Sequence, residues 1–309
     1  MTAATYPGGV NSVVTKANAG VFIPELWSDE IIAAYKQNLV MANLVSKMSF
    51  KGKKGDTLHI PKPTRGSAIV KAAATAVTIQ QTANTEVLLV IDKHYEYSRM
   101  IEDITEAQAL SSLRKFYTGD AGYALAKQVD TDLLQLGRNS QGGDGTIAYD
   151  KAVIGGDGST LYTGSNESAI TDAGIRKVIQ TLDDADVPMD GRVLVLPPVA
   201  RNTMMGLARF TEQAFTGETG GGNTIRNGEI GNVYGVKVYV TTNADTATTT
   251  TTRIGMMFHK DAFVLAEQMG VRSQTQYKQE YLGTLFTSDM LYGVKELRDE
   301  AAIAIALAA

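Results

Sequence analysis

Cysteine is missing from the chain altogether, which excludes disulfides, thiolate nucleophiles and thiolate metal sites. Histidine is nearly as scarce. His59, His94 and His259 are the only three, and no pair has the spacing that places two imidazoles on one helix face for a metal. Each reads as a strand residue, with His59 and His94 facing each other across a hairpin as the alternative. Glycines are plentiful at Gly217, Gly220, Gly221 and Gly222, but no Gly-Lys-Ser/Thr follows them, so no phosphate loop is expected. No Gly-x-Ser-x-Gly elbow is present for a serine nucleophile. Asp183, Asp184 and Asp186 are the acidic cluster to weigh as a cation site; at the end of a helix they read instead as a solvated face. The apolar C-terminal run is far shorter than the roughly 20 residues a membrane helix needs, and Met1 to Gly20 has no basic start followed by an apolar stretch, so no secretory signal is expected. Large charge of one sign is absent too. A net charge of -4 with 20% charged residues does not suit a strongly basic nucleic-acid binder.

What the chain does have is apolar material. At 309 residues and 44% hydrophobic composition it can bury a sizeable core. Residues 1–21 are small, polar and dotted with glycine, and read as an arm. Pro24 and Glu25 suit the first turn of a helix, continued by Leu26, Trp27, Ile31, Tyr35 and Leu39 at helical spacing. From Lys47 the pattern changes. Thr57-Leu58-His59-Ile60 and Glu86 to Ile91 read as two strands separated by a long tip containing Lys71-Ala72-Ala73-Ala74-Thr75, an extended hairpin standing away from the core. Asp103-Ile104-Thr105-Glu106 has capping-box character and opens a helix of about thirty residues, roughly 45 Å long. Its expected apolar face follows Ile104, Leu110, Leu113, Tyr117, Ala121, Ala124, Gln128, Asp132 and Leu136, with Leu125, Val129 and Leu133 beside it. It stops at Gly137.

Further on, Thr171-Asp172 caps a helix carrying Ile175, Val178, Ile179 and Leu182, a strand runs over 192–196, and Pro197-Pro198 precedes a helix with Met204 and Met205. Strands are expected over 236–241 and 254–258, joined by a threonine-rich turn. A terminal pair follows, its first strand over 271–279 and its second through Tyr292. Residues 301–309 read as a buried last strand. Helices and strands mix without regular βαβ alternation, so the class is α+β.

The tetrapeptide Tyr-Gly-Val-Lys occurs twice, at residues 234–237 and 292–295. The first copy closes Asn227-Gly228-Glu229-Ile230-Gly231-Asn232-Val233, a glycine-punctuated strand entry. The second leads to Arg298-Asp299-Glu300 and an Ala/Ile tail. Together with Phe22-Ile23-Pro24-Glu25-Leu26-Trp27-Ser28, Gly55-Asp56-Thr57-Leu58-His59-Ile60-Pro61 and Asp130-Thr131-Asp132, in this order, the chain resembles the tailed-bacteriophage major capsid protein family from about Phe22 to its end. The resemblance implies an N-terminal arm and first helix (1–46), an extended β-hairpin loop (47–99), a peripheral domain with a long spine helix (100–170), an axial domain (171–264) and return strands of the peripheral domain (265–309).

It also implies function: a coat protein of the virion that self-assembles as hexamers and pentamers into an icosahedral shell around double-stranded DNA in the host cytoplasm. Scaffold and portal proteins are the implied partners, with no cofactor, no metal and no membrane. An encapsulin-like compartment holding a cargo enzyme is the alternative within the same fold; the long arm and large hairpin favour the viral reading. An enzyme, the rival from another class, has no assembled constellation to carry it. Function then resides in interfaces. The outgoing side of the hairpin is basic, through Lys47, Lys51, Lys53, Lys54, Lys62, Arg65 and Lys71 with only Asp56 between them. Glu102, Asp103 and Glu106 form an acidic strip. One reading has Lys51, Lys53, Lys54, Lys62 and Arg65 meeting that strip on a neighbouring subunit; the other has both as solvated surface charge.

Overall fold

The computed structural model describes residues 39–52, 54–63, 66–80, 85–108, 113–137, 153–158, 168–207, 232–246 and 252–308. The expected arm and first helix, the glycine-dense loop over 215–227 and most of the threonine tract lie outside the described residues. In chain order the strands are Ser46–Ser49 (β1), Thr57–Lys62 (β2), Thr85–Val90 (β3), Lys93–Glu102 (β4), Val153–Gly155 (β5), Arg192–Leu196 (β6), Asn232–Val233 (β7), Val236–Val240 (β8), Thr252–His259 (β9), Phe263–Lys278 (β10), Gly283–Glu296 (β11) and Ala302–Ala308 (β12). The helices are Asp103–Gln108 (α1), Leu113–Gln135 (α2), Asp172–Asp184 (α3) and Pro198–Met205 (α4). The class is α+β, as the sequence pattern predicts.

Strands that are apolar throughout go to the middle of a sheet, because both of their faces must be covered. β6, Arg-Val-Leu-Val-Leu, is buried at every position, and β12, Ala-Ile-Ala-Ile-Ala-Leu-Ala, at all but its last. Both lie inside a six-stranded sheet of order β5-β12-β9-β6-β8-β7. The two strands expected to share the threonine-rich turn, β8 and β9, are not neighbours there: β6 lies between them, parallel to β8 and antiparallel to β9. The second sheet has order β1-β10-β11-β4. β10 begins at Phe263, eight residues before the predicted start, because Phe263, Val264, Leu265 and Ala266 are buried strand residues as well. β11 carries the second Tyr-Gly-Val-Lys copy and pairs with β10 and β4. The chain then leaves this sheet, and β12 enters the other one. Among the described residues β2 and β3 pair only with each other, antiparallel from Thr57↔Val90 to Lys62↔Thr85.

α2 lies against β4, β11 and β10. Its buried row is Ala121, Leu125, Val129 and Leu133, one residue every four, as a helix face requires. This shifts the expected face: of its members Ala121 and Asp132 are buried while Ala124, Gln128 and Leu136 are half-buried, and Leu125, Val129 and Leu133, predicted to lie beside it, complete the buried row. α1 and α2 flank residues 109–112, which are outside the described set. α3 has the expected cap, with Gly174 N donating to Thr171 Oγ1 at 3.1 Å. One core joins the two sheets and their helices, and a satellite of Leu89, Val264 and Ala266 sits beneath the β2–β3 arm.

Candidate assembly interface

The arm formed by β2, β3 and residues 66–80 is anchored at its root by backbone contacts. Ile91 N donates to Asp56 O at 2.8 Å, and Phe50 N to Glu267 O at 2.8 Å. Gln268 Nε2 donates to Gly55 O at 2.9 Å. Met48, Phe50, Leu58, Ile60 and Leu297 pack around the small satellite core. The arm's return passes so close over β11 that a Cβ on Gly293 would lie 2.4 Å from Val90 O. Only glycine leaves room for that crossing. At its far end the arm reverses at Ala72–Thr75, where Thr75 Oγ1 donates to Ala72 O at 2.7 Å and Ala74 takes a left-handed φ of 61°.

Of the predicted contact residues, Lys53 and Arg65 lie outside the described residues, as does the side chain of Glu106. Lys51 pairs with Glu267 of its own chain at 3.8 Å. Lys62 lies 3.9 Å from both Asp299 and Glu300, tying the arm loosely to the segment between β11 and β12. Lys54 and Glu102 are exposed. Asp103 accepts a hydrogen bond from Tyr277 OH at 2.9 Å, and that bond raises the tyrosine's pKa above its ordinary value. Among the described residues no ion pair joins the basic set to the acidic strip. The first belongs to β1, β2 and the arm, the second to the β4–α1 junction beside the β10–β11 turn.

Two carboxylates on α2 hold these parts in register. Asp130 Oδ1 accepts from Val40 N at 3.1 Å and Met41 N at 2.8 Å, and Asn243 Nδ2 reaches Oδ2 at 3.3 Å. Burial pushes the Asp130 carboxyl above its usual value, opposed by the donors Met41, Asn243 and Val40. Asp132 accepts from Tyr292 OH at 2.7 Å and Gln128 Nε2 at 3.0 Å, and Lys93 Nζ lies 3.3 Å away. Burial, then Asp132, drives the Tyr292 phenol well above its ordinary pKa. The helix thus pins the segment entering at residues 40–41, the loop of the six-stranded sheet at Asn243, and the other sheet at Tyr292 and Lys93. Acids in the last turns of a helix oppose its dipole, and that signal alone marks them as held for another reason.

On the four-stranded sheet, Arg272 grips Asp289 with Nε at 3.1 Å and Nη2 at 2.7 Å, and His94 Nε2 lies 3.3 Å from the same carboxylate. The Arg272 hydrogen bond holds Asp289 below the usual carboxylate range. His59 lies against Glu86 at 2.9 Å, so His59 and His94 do not face each other. Asp183 of the acidic cluster pairs with Arg192 at 2.7 Å. Between arm and core lies a groove of about 930 Å³ walled by β2, β3, residues 185–188 and the β11–β12 connection. No set of three metal-ligating side chains occurs among the described residues, and no helix among them is long and apolar enough to cross a membrane.

The phage capsid protein family profile matches residues 96–306, more than half of the chain. No curated protein matches. Solved structures do. A chain from Mycobacterium phage Che8 is similar with a TM-score of 0.74 and 23% identity, over 92% of this chain and 97% of that one. The capsid of cyanophage P-SCSP1u is similar at 0.72 and 16% identity, covering 99% of both chains. The mature capsid of bacteriophage PhiM1 is similar at 0.73 and 13% identity, over 98% and 99% of the two chains. At these identities the structures speak to fold.

Proposed function

From the premise that this chain belongs to the phage capsid protein family, we propose that its copies assemble as hexamers and pentamers into an icosahedral shell around double-stranded DNA. The chain is a major capsid protein with a structural role: it associates with its own copies, and its place is the virion. The encapsulin-like compartment is not favoured. The observation that carries the reading is the family match over residues 96–306. The protruding arm, whose hairpin has no neighbouring strand among the described residues, supports it.

The finer picture is our reading. Residues 1–46 act as an arm, 47–99 as the extended loop, 100–170 with 265–309 as the peripheral domain, and 171–264 as the axial domain. Assembly takes place in the host cytoplasm with scaffold and portal proteins, and DNA is enclosed without sequence-specific contacts or catalysis. Lys51, Lys53, Lys54, Lys62 and Arg65 of one subunit meet Glu102, Asp103 and Glu106 of the next. Such rim charges set encounter rate and register more than affinity, and shell stability comes from many modest contacts closing together.

The chain expressed alone in a bacterial cytoplasm tests this, examined by sedimentation and negative-stain electron microscopy. Closed shells, or ring-shaped capsomers that close when scaffold is added, are expected. A monomer or dimer unchanged by concentration and scaffold would overturn the assembly reading.

A further inference from the structure

The sequence contains three Asp-Gly pairs, at 144–145, 157–158 and 190–191, and the assembly reading uses none of them. The first lies outside the described residues. An aspartate before a glycine has a nucleophile at hand. The following main-chain nitrogen closes a five-membered ring on the side-chain carboxyl carbon, and glycine has no Cβ to shield that nitrogen. By sequence the two described pairs are equivalent. The fold makes them different.

At 157–158 the reacting nitrogen is occupied. Gly158 N donates to Gly155 O at 2.9 Å, and Asp157 N to Ser168 Oγ at 2.9 Å. A Cβ on Gly158 would lie 3.3 Å from Gly174 Cα and Lys177 Cβ, so the pair is packed down on the first turns of α3. At 190–191 the connection between α3 and β6 stands in solvent. Pro188, Met189, Asp190 and Gly191 are all exposed, and Gly191 holds a left-handed φ of 83°. Among the described residues no backbone acceptor takes the Gly191 N–H.

We propose that Asp190 is a site of spontaneous covalent modification, converting to isoaspartate through a succinimide shared with Gly191. Gly191 N bonds to Asp190 Cγ, and the hydroxyl of the neutral carboxyl leaves with the amide proton as water. A second water reopens the ring. Breaking the bond from nitrogen to Cγ restores aspartate. Breaking the bond from nitrogen to the main-chain carbonyl carbon leaves Gly191 joined through the side chain, which is isoaspartate. No oxidant, reductant or cofactor takes part. The product carries one extra main-chain atom in a turn whose ends are clasped together. Buried Arg192 donates to Val187 O at 2.5 Å and to Pro188 O at 2.9 Å, so the lengthened turn must distort that clasp at the entry to β6.

The full chain and an Asp190→Glu variant are aged side by side in warm, mildly acidic buffer made with heavy-oxygen water, then mapped by peptide mass spectrometry. Each ring opening adds one heavy oxygen, and a protein-isoaspartate methyltransferase with labelled S-adenosylmethionine counts the isoaspartyl product. Glutamate keeps the charge but would have to close a six-membered ring, so product at 190 should disappear in the variant. In the folded chain, reaction at 190 should run about fivefold faster than at 157, the factor set by freeing one hydrogen bond. In urea the two rates should converge. Equal rates in the folded chain, or a faster one at 157, overturn the site, and a difference that persists in urea takes the fold out of the account. The isoaspartyl fraction of the wild type, separated by chromatography, should unfold at a lower temperature than aged Asp190→Glu; equal midpoints overturn the coupling to Arg192. Neither readout requires assembly, so this inference and the capsid reading fail separately.

Discussion

Asp130 and Asp132, two residues apart on α2, serve different halves of the molecule. Asp130→Ala leaves the N–H groups of Val40 and Met41 without their acceptor, and a loss of about 3 kcal/mol is expected in urea unfolding of the unassembled chain. Asp130→Asn keeps an acceptor oxygen and loses less. The two also differ with pH. Folding raises the Asp130 pKa above the ordinary 3.8, so the fold favours its neutral form. That contribution is complete below 3.8 and is lost as pH rises through the folded-state value. The asparagine variant does not titrate, so it should gain on the wild type as pH climbs from there; a gap that stays constant across urea midpoints would remove Asp130 from the account. The two Tyr-Gly-Val-Lys copies make a second contrast. Tyr234 and Gly235 have φ of 49° and 81° and form the two-residue turn between β7 and β8, the pattern such hairpins demand. Gly235 has open space around it, so Gly235→Ala costs only about 1 kcal/mol of backbone strain. Gly293→Ala meets the Val90 carbonyl and should cost about 3 kcal/mol, together with the arm's seating, read as faster proteolysis at the arm root.

At the scale of elements, the arm is separable and the sheets are not. Lys62 and its partners are about half exposed, so Lys62→Glu should change chain stability by less than about 1 kcal/mol while altering how the arm is held. Removing residues 66–80 should leave the core's thermal unfolding unchanged and abolish closed shells; shells of normal size from that variant would deny the tip a role. The α3–β6 connection behaves oppositely. Arg192 is buried and donates to Val187 O at 2.5 Å and Pro188 O at 2.9 Å while pairing with Asp183. Removing it takes the donor from the buried Val187 carbonyl, and Arg192→Met should cost about 3 kcal/mol. Elements set by local pattern were legible in the sequence. The Thr171 cap, the apolar run of β6 and the closing strand β12 are local facts. Which strands lie side by side was not: a threonine-rich turn between β8 and β9 suggested a hairpin, whereas β6, sixty residues earlier in the chain than β9, takes the place between them. The face of α2 was only partly placed for a similar reason, since Ala121, Ala124 and Leu136 on one row and Leu125, Val129 and Leu133 on the next are all apolar, and the helix's partners choose between them.

For the whole molecule, stability of the shell is a property of many copies, so its signatures are concentration and salt. Charge reversal at Lys53 and Lys54 should change both the assembly rate and its dependence on ionic strength, measured by light scattering; an unchanged rate and salt slope would return those lysines to solvated surface. The α+β class, the absence of thiol chemistry, the capped helices, the apolar strands and the resemblance to capsid proteins all follow from residue types and short spacings, because propensity, capping and periodicity act over a few neighbours. The pairing of β12 with β9 and β5, the crossing of the arm over Gly293, and the convergence of residues 40–41, 93, 243 and 292 on one helix were settled by the fold. Those contacts bring together positions far apart in sequence, and burial, close approach and unsatisfied hydrogen-bond donors select them only once the sheets are packed.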